Sequence, residues 1–151
     1  MLRALLLLSF LALVACDSTS PFDPNIDIVD VSSGDVREAR ARWEASGGAD
    51  YTMMLRRSCF CGQDAIGPYE VRVEGGVIDL VLIDGERTDA ELGRTIVDLF
   101  DLLDNALDED AASVQAAFDT ERGYPLRLSI DYNELIADEE IGYDIANVRL
   151  N

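Results

Sequence analysis

The sequence predicts an α+β domain in which an antiparallel sheet of about six strands carries two amphipathic helices packed on one face. Apolar and polar residues alternate with a period of two in several segments, and two other segments repeat apolar residues at helical spacing. Hairpin-length connections between the strand segments favour antiparallel pairing, and the helices must bury their apolar stripes against the sheet. The predicted order of elements is α-β-β-β-α-β-β-β.

The first helix is predicted over residues 36–46. Asp35 and Glu38 have the spacing of a capping box, and the apolar residues up to Trp43 fall on one face. Gly47 follows the last helical turn and is expected to end the helix.

A second capping box, formed by Thr88 and Glu91, predicts a helix that starts at Thr88 and continues to about Leu107. Its apolar stripe faces the core, and a row of acids lines the opposite, solvated side. The six strands are predicted at residues 51–61, 69–74, 77–83, 112–118, 126–132 and 143–150. An acidic loop over residues 133–142 precedes the last strand.

Residues 1–15 have the features of a bacterial lipoprotein signal. One charge, Arg3, precedes an apolar run from Ala4 to Val14, which at 11 residues is shorter than the roughly 20 needed to span a membrane. The stretch Leu13-Val14-Ala15-Cys16 resembles the lipobox of bacterial lipoproteins. This resemblance implies cleavage before Cys16 and a diacylglyceryl group on its thiol; the alternative is an ordinary secretory signal with a chance cysteine.

After the signal we expect a flexible acidic tether over residues 16–34 and a single domain over residues 35–151. The lipid would anchor the chain to a bacterial membrane, with the domain facing the periplasm or the exterior. Asp17 resembles the inner-membrane retention signal of some Gram-negative lipoproteins. It favours the inner membrane and leaves the outer membrane open.

Charge and residue types exclude several function classes. The chain has a net charge of −18, which becomes −19 once Arg3 is removed with the signal, so a nucleic-acid partner is not expected. It contains neither His nor Lys, so common nucleophile systems, HExxH zinc sites and P-loop lysines are absent. We therefore expect no enzymatic activity and no cofactor.

Cys59 and Cys61 are predicted to form a disulfide. Disulfides persist outside the cytoplasm, and two residues at this spacing in a strand point to the same face. Two strand steps separate the Cα atoms by roughly 6.6 Å, near the upper limit of about 6.8 Å, so the bridge requires a bend that Gly62 would permit. A redox role, or a zinc site completed by a second chain, is the alternative to a structural bridge.

A set of residues across the domain resembles a family of uncharacterised bacterial envelope lipoproteins, domain of unknown function family 6174, over about residues 36–150. The residues are Trp43, Tyr51, Arg57-Ser-Cys59-Phe-Cys61-Gly62, Val71-Arg-Val73 with Gly75-Gly76, Phe100, Gly123-Tyr124-Pro125 and Asp131. The resemblance implies an envelope location and the domain extent, and no activity. We single out Tyr69, Tyr124, Pro125 and Asp131 as a possible interaction surface.

Three functions remain open. The first is a non-enzymatic module that binds an envelope protein, a glycan or a small ligand through the open face of the sheet or its loops. The second is a thiol-disulfide protein that uses Cys59 and Cys61. The third is a metal-binding protein whose acidic ligands would be Asp131, Asp138, Glu139 and Glu140 together with acids of the tether.

Overall fold

The computed structural model describes residues 20–62, 65–133, 135–136 and 139–151. Within these residues the chain forms two α-helices and one sheet of eight strands in which every pairing is antiparallel, so the α+β class is confirmed. No helix in the described ranges is long and apolar enough to cross a membrane.

The strands lie in the order β1-β6-β7-β8-β2-β3-β4-β5. They are β1 (Val29–Asp30), β2 (Tyr51–Cys59), β3 (Tyr69–Glu74), β4 (Val77–Ile83), β5 (Glu86–Arg87), β6 (Ser113–Phe118), β7 (Pro125–Asp131) and β8 (Glu140–Leu150). The predicted number of about six is wrong. All six predicted strands form, and two further strands of two residues each, β1 and β5, occupy the edges of the sheet.

Helix α1 (Ser33–Ala45) begins three residues before its predicted start, because the capping box is formed by Ser32 and Asp35. The Ser32 backbone N–H donates to the Asp35 carboxylate at 2.9 Å, and the Asp35 N–H donates to the Ser32 hydroxyl at 3.3 Å. The Ser32 hydroxyl also donates to this carboxylate, which lowers the pKa of Asp35.

Helix α2 (Ile96–Asp108) begins eight residues after the predicted start, so that prediction is wrong. The capping box that forms is Thr95 with Asp98, seven residues after the pattern at Thr88. The earlier pattern is followed by a 3-10 turn and by Gly93, which packs so closely on β4 that a Cβ atom there would lie 2.8 Å from Val81 Cγ2. A regular helix through Gly93 would lose this contact.

The core lies between the two helices and one face of the sheet. On β2, Tyr51, Met53 and Leu55 alternate with more exposed residues and are almost fully buried. The Tyr51 ring meets Trp43 of α1 edge to face at a centroid distance of 5.2 Å. Its hydroxyl accepts a hydrogen bond of 2.7 Å from the backbone N–H of Ile96, so this one side chain links β2 to both helices.

The face opposite the helices, called the open face below, is crossed by residues 22–30. Phe22 is 5% exposed, and strand β1 pairs with Gln115 and Ala116 of β6. The guanidinium of Arg127 on β7 donates to the carbonyl of Ile26 at 2.9 Å. The expected flexible tether over residues 16–34 is therefore wrong for residues 22–30, because a buried aromatic ring and backbone pairing hold them on the sheet.

Tyr51→Phe should lower the free energy of unfolding by about 1 to 2 kcal/mol at pH 7, because the buried Ile96 N–H loses its acceptor. Burial raises the pKa of Tyr51 from 10.0 to about 12. The folded state thus favours the protonated phenol over the phenolate. The stability that results from this preference is fully present below pH 10 and is lost as the pH rises toward about 12.

The contribution of Tyr51 to this pH dependence amounts to about 2 to 3 kcal/mol and should be missing in Tyr51→Phe. Denaturant unfolding followed by circular dichroism between pH 7 and 12 measures both effects. Tyr132→Phe, at a half-buried tyrosine just after β7, is the matched control. Equal losses at pH 7 in the two variants would contradict the role assigned to Tyr51.

Candidate functional site

Three neighbouring strands, β2, β8 and β7, present two rows of side chains on the open face. The first row consists of Arg56, Asp144 and Arg127, which are paired in register across the strands. The second row, two residues further along, consists of Ser58, Gly142 and Ser129. A row of charged side chains therefore runs beside a row of small ones.

The Asp144 carboxylate lies between two guanidinium groups. Its Oδ2 accepts hydrogen bonds from Nε and Nη2 of Arg56 at 3.0 and 2.7 Å, and its Oδ1 accepts one from Nε of Arg127 at 2.5 Å. The Asp144 side chain is only 14% exposed, and that of Arg127 is 21% exposed. Charge-assisted hydrogen bonds at such half-buried positions are stronger than surface ion pairs, so the first row fixes three strands to one another.

The second row forms the floor of an open groove of about 440 Å³. Gly142 has no side chain, and the serines beside it are small, so the sheet surface is low at this point. Ile28 of the N-terminal segment and Arg127 line one side, and Phe60, whose side chain is 85% exposed, lies at the rim. A volume of this size falls within the range of small-ligand sites.

The groove offers hydrogen-bonding groups and one aromatic surface to a ligand. The hydroxyls of Ser58 and Ser129 can donate or accept, and the carboxylate of Glu140 can accept. Phe60 offers an exposed ring for packing against an apolar part of the ligand. These groups suit the recognition of a polar ligand or an extended chain segment.

Cys59 and Cys61 form the predicted disulfide beside this groove. Strand β2 ends at Cys59, and the chain then bends, so that the two Cα atoms lie 5.3 Å apart instead of the roughly 6.6 Å of an extended strand. The expected bend is thus present. Cys59 lines the groove and Cys61 is exposed, so a partner molecule has access to the bridge.

The residues singled out as an interaction surface do not share one surface. Tyr69 is fully buried in the core and is not open to a partner. Tyr124 is half-buried and packs edge to face on Trp43 at a centroid distance of 5.9 Å, and burial raises the pKa of its phenol. Pro125 is buried at the start of β7, and Asp131 lies at the other end of that strand, paired with Glu140.

The turn that contains Gly123, Tyr124 and Pro125 positions helix α1. Gly123 has a φ of 83°, and a Cβ atom there would collide with the carbonyl oxygen of Ala39 in α1. Only glycine combines this conformation with such a close approach. The tripeptide therefore has a structural role where helix and sheet meet, and the ring of Tyr124 extends the contact to Trp43.

The acids considered as metal ligands do not form a cluster in the described residues. Asp131 and Glu140 are neighbours on β7 and β8, but no group of three or more acidic or cysteine side chains within the described ranges has a metal-binding arrangement. Asp138 lies outside the described residues, as do Cys16 and Asp17. The lipid attachment expected at Cys16 is therefore not addressed by the structure.

Sequence reasoning did not identify the row of Arg56, Asp144 and Arg127. The available signal was that each residue occupies the polar side of its predicted strand, which alternation indicates. Which strands lie side by side depends on the sheet order, and β7, β8 and β2 become neighbours only through long-range pairing.

Comparison with known proteins identifies one family. Residues 35–150 match the sequence pattern of a family that is described as "Family of unknown function (DUF6174)". This match confirms that the domain resembles this family, and it covers α2, α1 after its first two residues, and every strand of the described residues except β1. No curated protein and no solved structure matches the chain.

Proposed function

Because the chain belongs to the family of unknown function DUF6174, whose description assigns no activity, we propose its function from the open-face groove and the lipobox. The protein is a non-enzymatic binding module of the bacterial cell envelope, anchored to a membrane by lipid on Cys16. Its partner is an envelope protein, a glycan or a small ligand that enters the groove between Phe60 and Arg127. Nucleic acid is not the partner, because the charge of −18 repels phosphate.

The groove is the observation that carries the binding proposal. It has the volume of a ligand site, lies open to solvent, and is floored by small side chains that leave hydroxyl groups accessible. Phe60 is unusual in being a large aromatic side chain that is 85% exposed at the rim of such a feature. Exposed aromatic rings beside convergent polar groups are common in binding sites.

The anchor proposal rests on the sequence of residues 1–16, and the disulfide is consistent with it. Disulfides are kept outside the reducing cytoplasm, which is where a lipobox signal would deliver the domain. Two or more acyl chains, at about 0.8 kcal/mol per buried methylene, would hold the domain on a membrane stably.

Mass spectrometry of the mature N-terminus should find Cys16 as the first residue, carrying lipid mass. Cys16→Ser should release the protein into the soluble fraction without changing its thermal midpoint, because the substituted residue precedes the family domain. Ser18→Ala, at a neighbouring residue outside the lipobox, is the matched control and should stay in the membrane fraction. An unmodified Cys16, or an intact segment of residues 1–15, would refute the anchor.

A photoreactive amino acid placed at Phe60 in living cells should form a covalent adduct with the partner, and the adduct mass would distinguish a protein from a glycan or a small molecule. Ser129→Tyr, which fills the groove from its floor, should abolish the adduct. Thr52→Tyr, on β2 and outside the groove, should leave it unchanged. No adduct at Phe60, or an adduct insensitive to Ser129→Tyr, would rule out the groove as the binding site.

The position of the disulfide favours a second candidate function, thiol-disulfide exchange. A thiolate of a partner dithiol would attack the Sγ of Cys61, an exposed residue, and release Cys59 as the leaving thiolate. The second partner thiol would then resolve the mixed disulfide, so that the partner is oxidised and the Cys59–Cys61 pair is reduced.

The reduction potential of the pair distinguishes this exchange from a structural bridge. A value below about −300 mV indicates a structural disulfide, and a value near −200 mV or higher supports exchange. Equilibration with glutathione, followed by alkylation and mass measurement, gives the potential. We expect the structural value, in agreement with the binding function proposed first.

A further inference from the structure

The segment of residues 22–30, which we call the strap, lies across the open face. At its start, the Phe22 ring is buried and packs against the guanidinium of Arg56, whose Cζ lies 4.6 Å from the ring centroid. At its end, Val29 and Asp30 form β1 and pair with β6 at the edge of the sheet. The strap therefore runs from the middle of the sheet, at β2, outward over β8 and β7.

Arg127 holds the middle of the strap. Its Nη2 donates to the carbonyl of Asp23 at 2.9 Å, its Nη1 donates to the carbonyl of Ile26 at 2.9 Å, and the same Nη1 reaches the carbonyl of Pro24 at 3.5 Å. Asp144 accepts from Nε and so fixes the direction of the guanidinium. All three nitrogens of one side chain are thus engaged, and hydrogen bonds from a charged donor are stronger than neutral ones.

Docking of the strap shortens the link between the lipid and the domain. Five residues lie between Cys16 and Phe22, so the six Cα-to-Cα steps that join them span about 20 Å when fully extended. An undocked segment up to Ser33 would contain 17 residues and reach about 55 Å. Since the short link leaves from the open face, lipid attached to Cys16 would keep this face near the bilayer.

We propose that the strap orients the domain so that the open face is directed toward the surface of the lipid bilayer. The inference rests on the lipid attachment proposed above. The partner of the open face is thus the membrane surface itself, and the groove opens toward that surface. A ligand of the groove would then be one that is present at the membrane.

Fluorescence quenching on vesicles tests the orientation. The full lipidated chain is bound to phosphatidylcholine vesicles that contain a lipid with a spin-labelled headgroup, and a thiol-reactive dye is attached either at Glu70→Cys or at Val97→Cys. Glu70 is exposed on β3 on the open face, and Val97 is 42% exposed on α2. Because Cys59 and Cys61 are paired, the dye reacts with the introduced thiol.

We expect the dye on the open face to be quenched more strongly than the dye on the helix. Equal or reversed quenching would overturn the orientation. Absence of lipid on Cys16, measured by mass spectrometry on the same sample, would overturn the anchor and with it the orientation. Quenching that fails although the lipid is present contradicts the strap inference alone and leaves the anchor standing.

Variants of the strap contacts test the mechanism. Arg127→Gln should abolish the difference in quenching and should make cleavage by endoproteinase Asp-N at Asp23, Asp27 or Asp30 roughly tenfold faster, because the strap then leaves the sheet more often. Arg37→Gln, at an exposed arginine of α1, is the matched control and should change neither value.

A second pair of variants covers the case in which Arg127→Gln fails to fold. Phe22→Ser removes the buried ring from the strap and leaves the family domain intact, so it should also speed cleavage and remove the difference in quenching. Phe60→Ser removes an exposed ring and should do neither. Cleavage of Phe22→Ser at the wild-type rate would overturn the inference.

Discussion

The carboxylate of Asp144 is the group on which the open face depends, because it joins three strands and also orients the arginine that holds the strap. The guanidinium groups of Arg56 and Arg127 come from β2 and β7, the strands on either side of β8, and both meet this one carboxylate. Without the carboxylate the two guanidinium groups would repel each other. Removal of one partner from a half-buried charge cluster costs more than removal of a surface ion pair. The strap, the wall of the groove and the spacing of β2, β8 and β7 therefore share one electrostatic constraint.

The other face of the sheet is organised by packing. Tyr51 reaches both helices, through its ring to Trp43 and through its hydroxyl to the first residue of α2. Gly123 lets the β6–β7 turn approach α1 closely, so the helical layer is held at the sheet end as well. The two faces thus differ in kind, since apolar burial fixes the helices and directional polar contacts fix the strap.

Local patterns predicted the strands and missed the contacts that build the site. Alternation is a period-two signal that reports which residues of a strand share a face, and it placed all six long strands. Capping boxes were ambiguous, because Thr-x-x-acid patterns occur at Thr88 and at Thr95. The close packing of Gly93 on Val81 favours the later start. The contact of the strap with the sheet could not be predicted from local sequence patterns, because Arg127 and Ile26 are 101 residues apart. The burial of Tyr69 likewise depends on the sheet order.

The occupation of Arg127 also limits what the groove can recognise. Its three donor nitrogens are engaged by Asp144 and by strap carbonyls, so an anionic ligand gains no free guanidinium unless it displaces the strap. The groups of the groove that remain accessible are the hydroxyls of Ser58 and Ser129, the carboxylate of Glu140 and the ring of Phe60. Among the described residues that line the groove, one carboxylate can accept hydrogen bonds and no cation is unengaged. In a chain of net charge −18, such a groove favours ligands that donate hydrogen bonds or carry positive charge over anions.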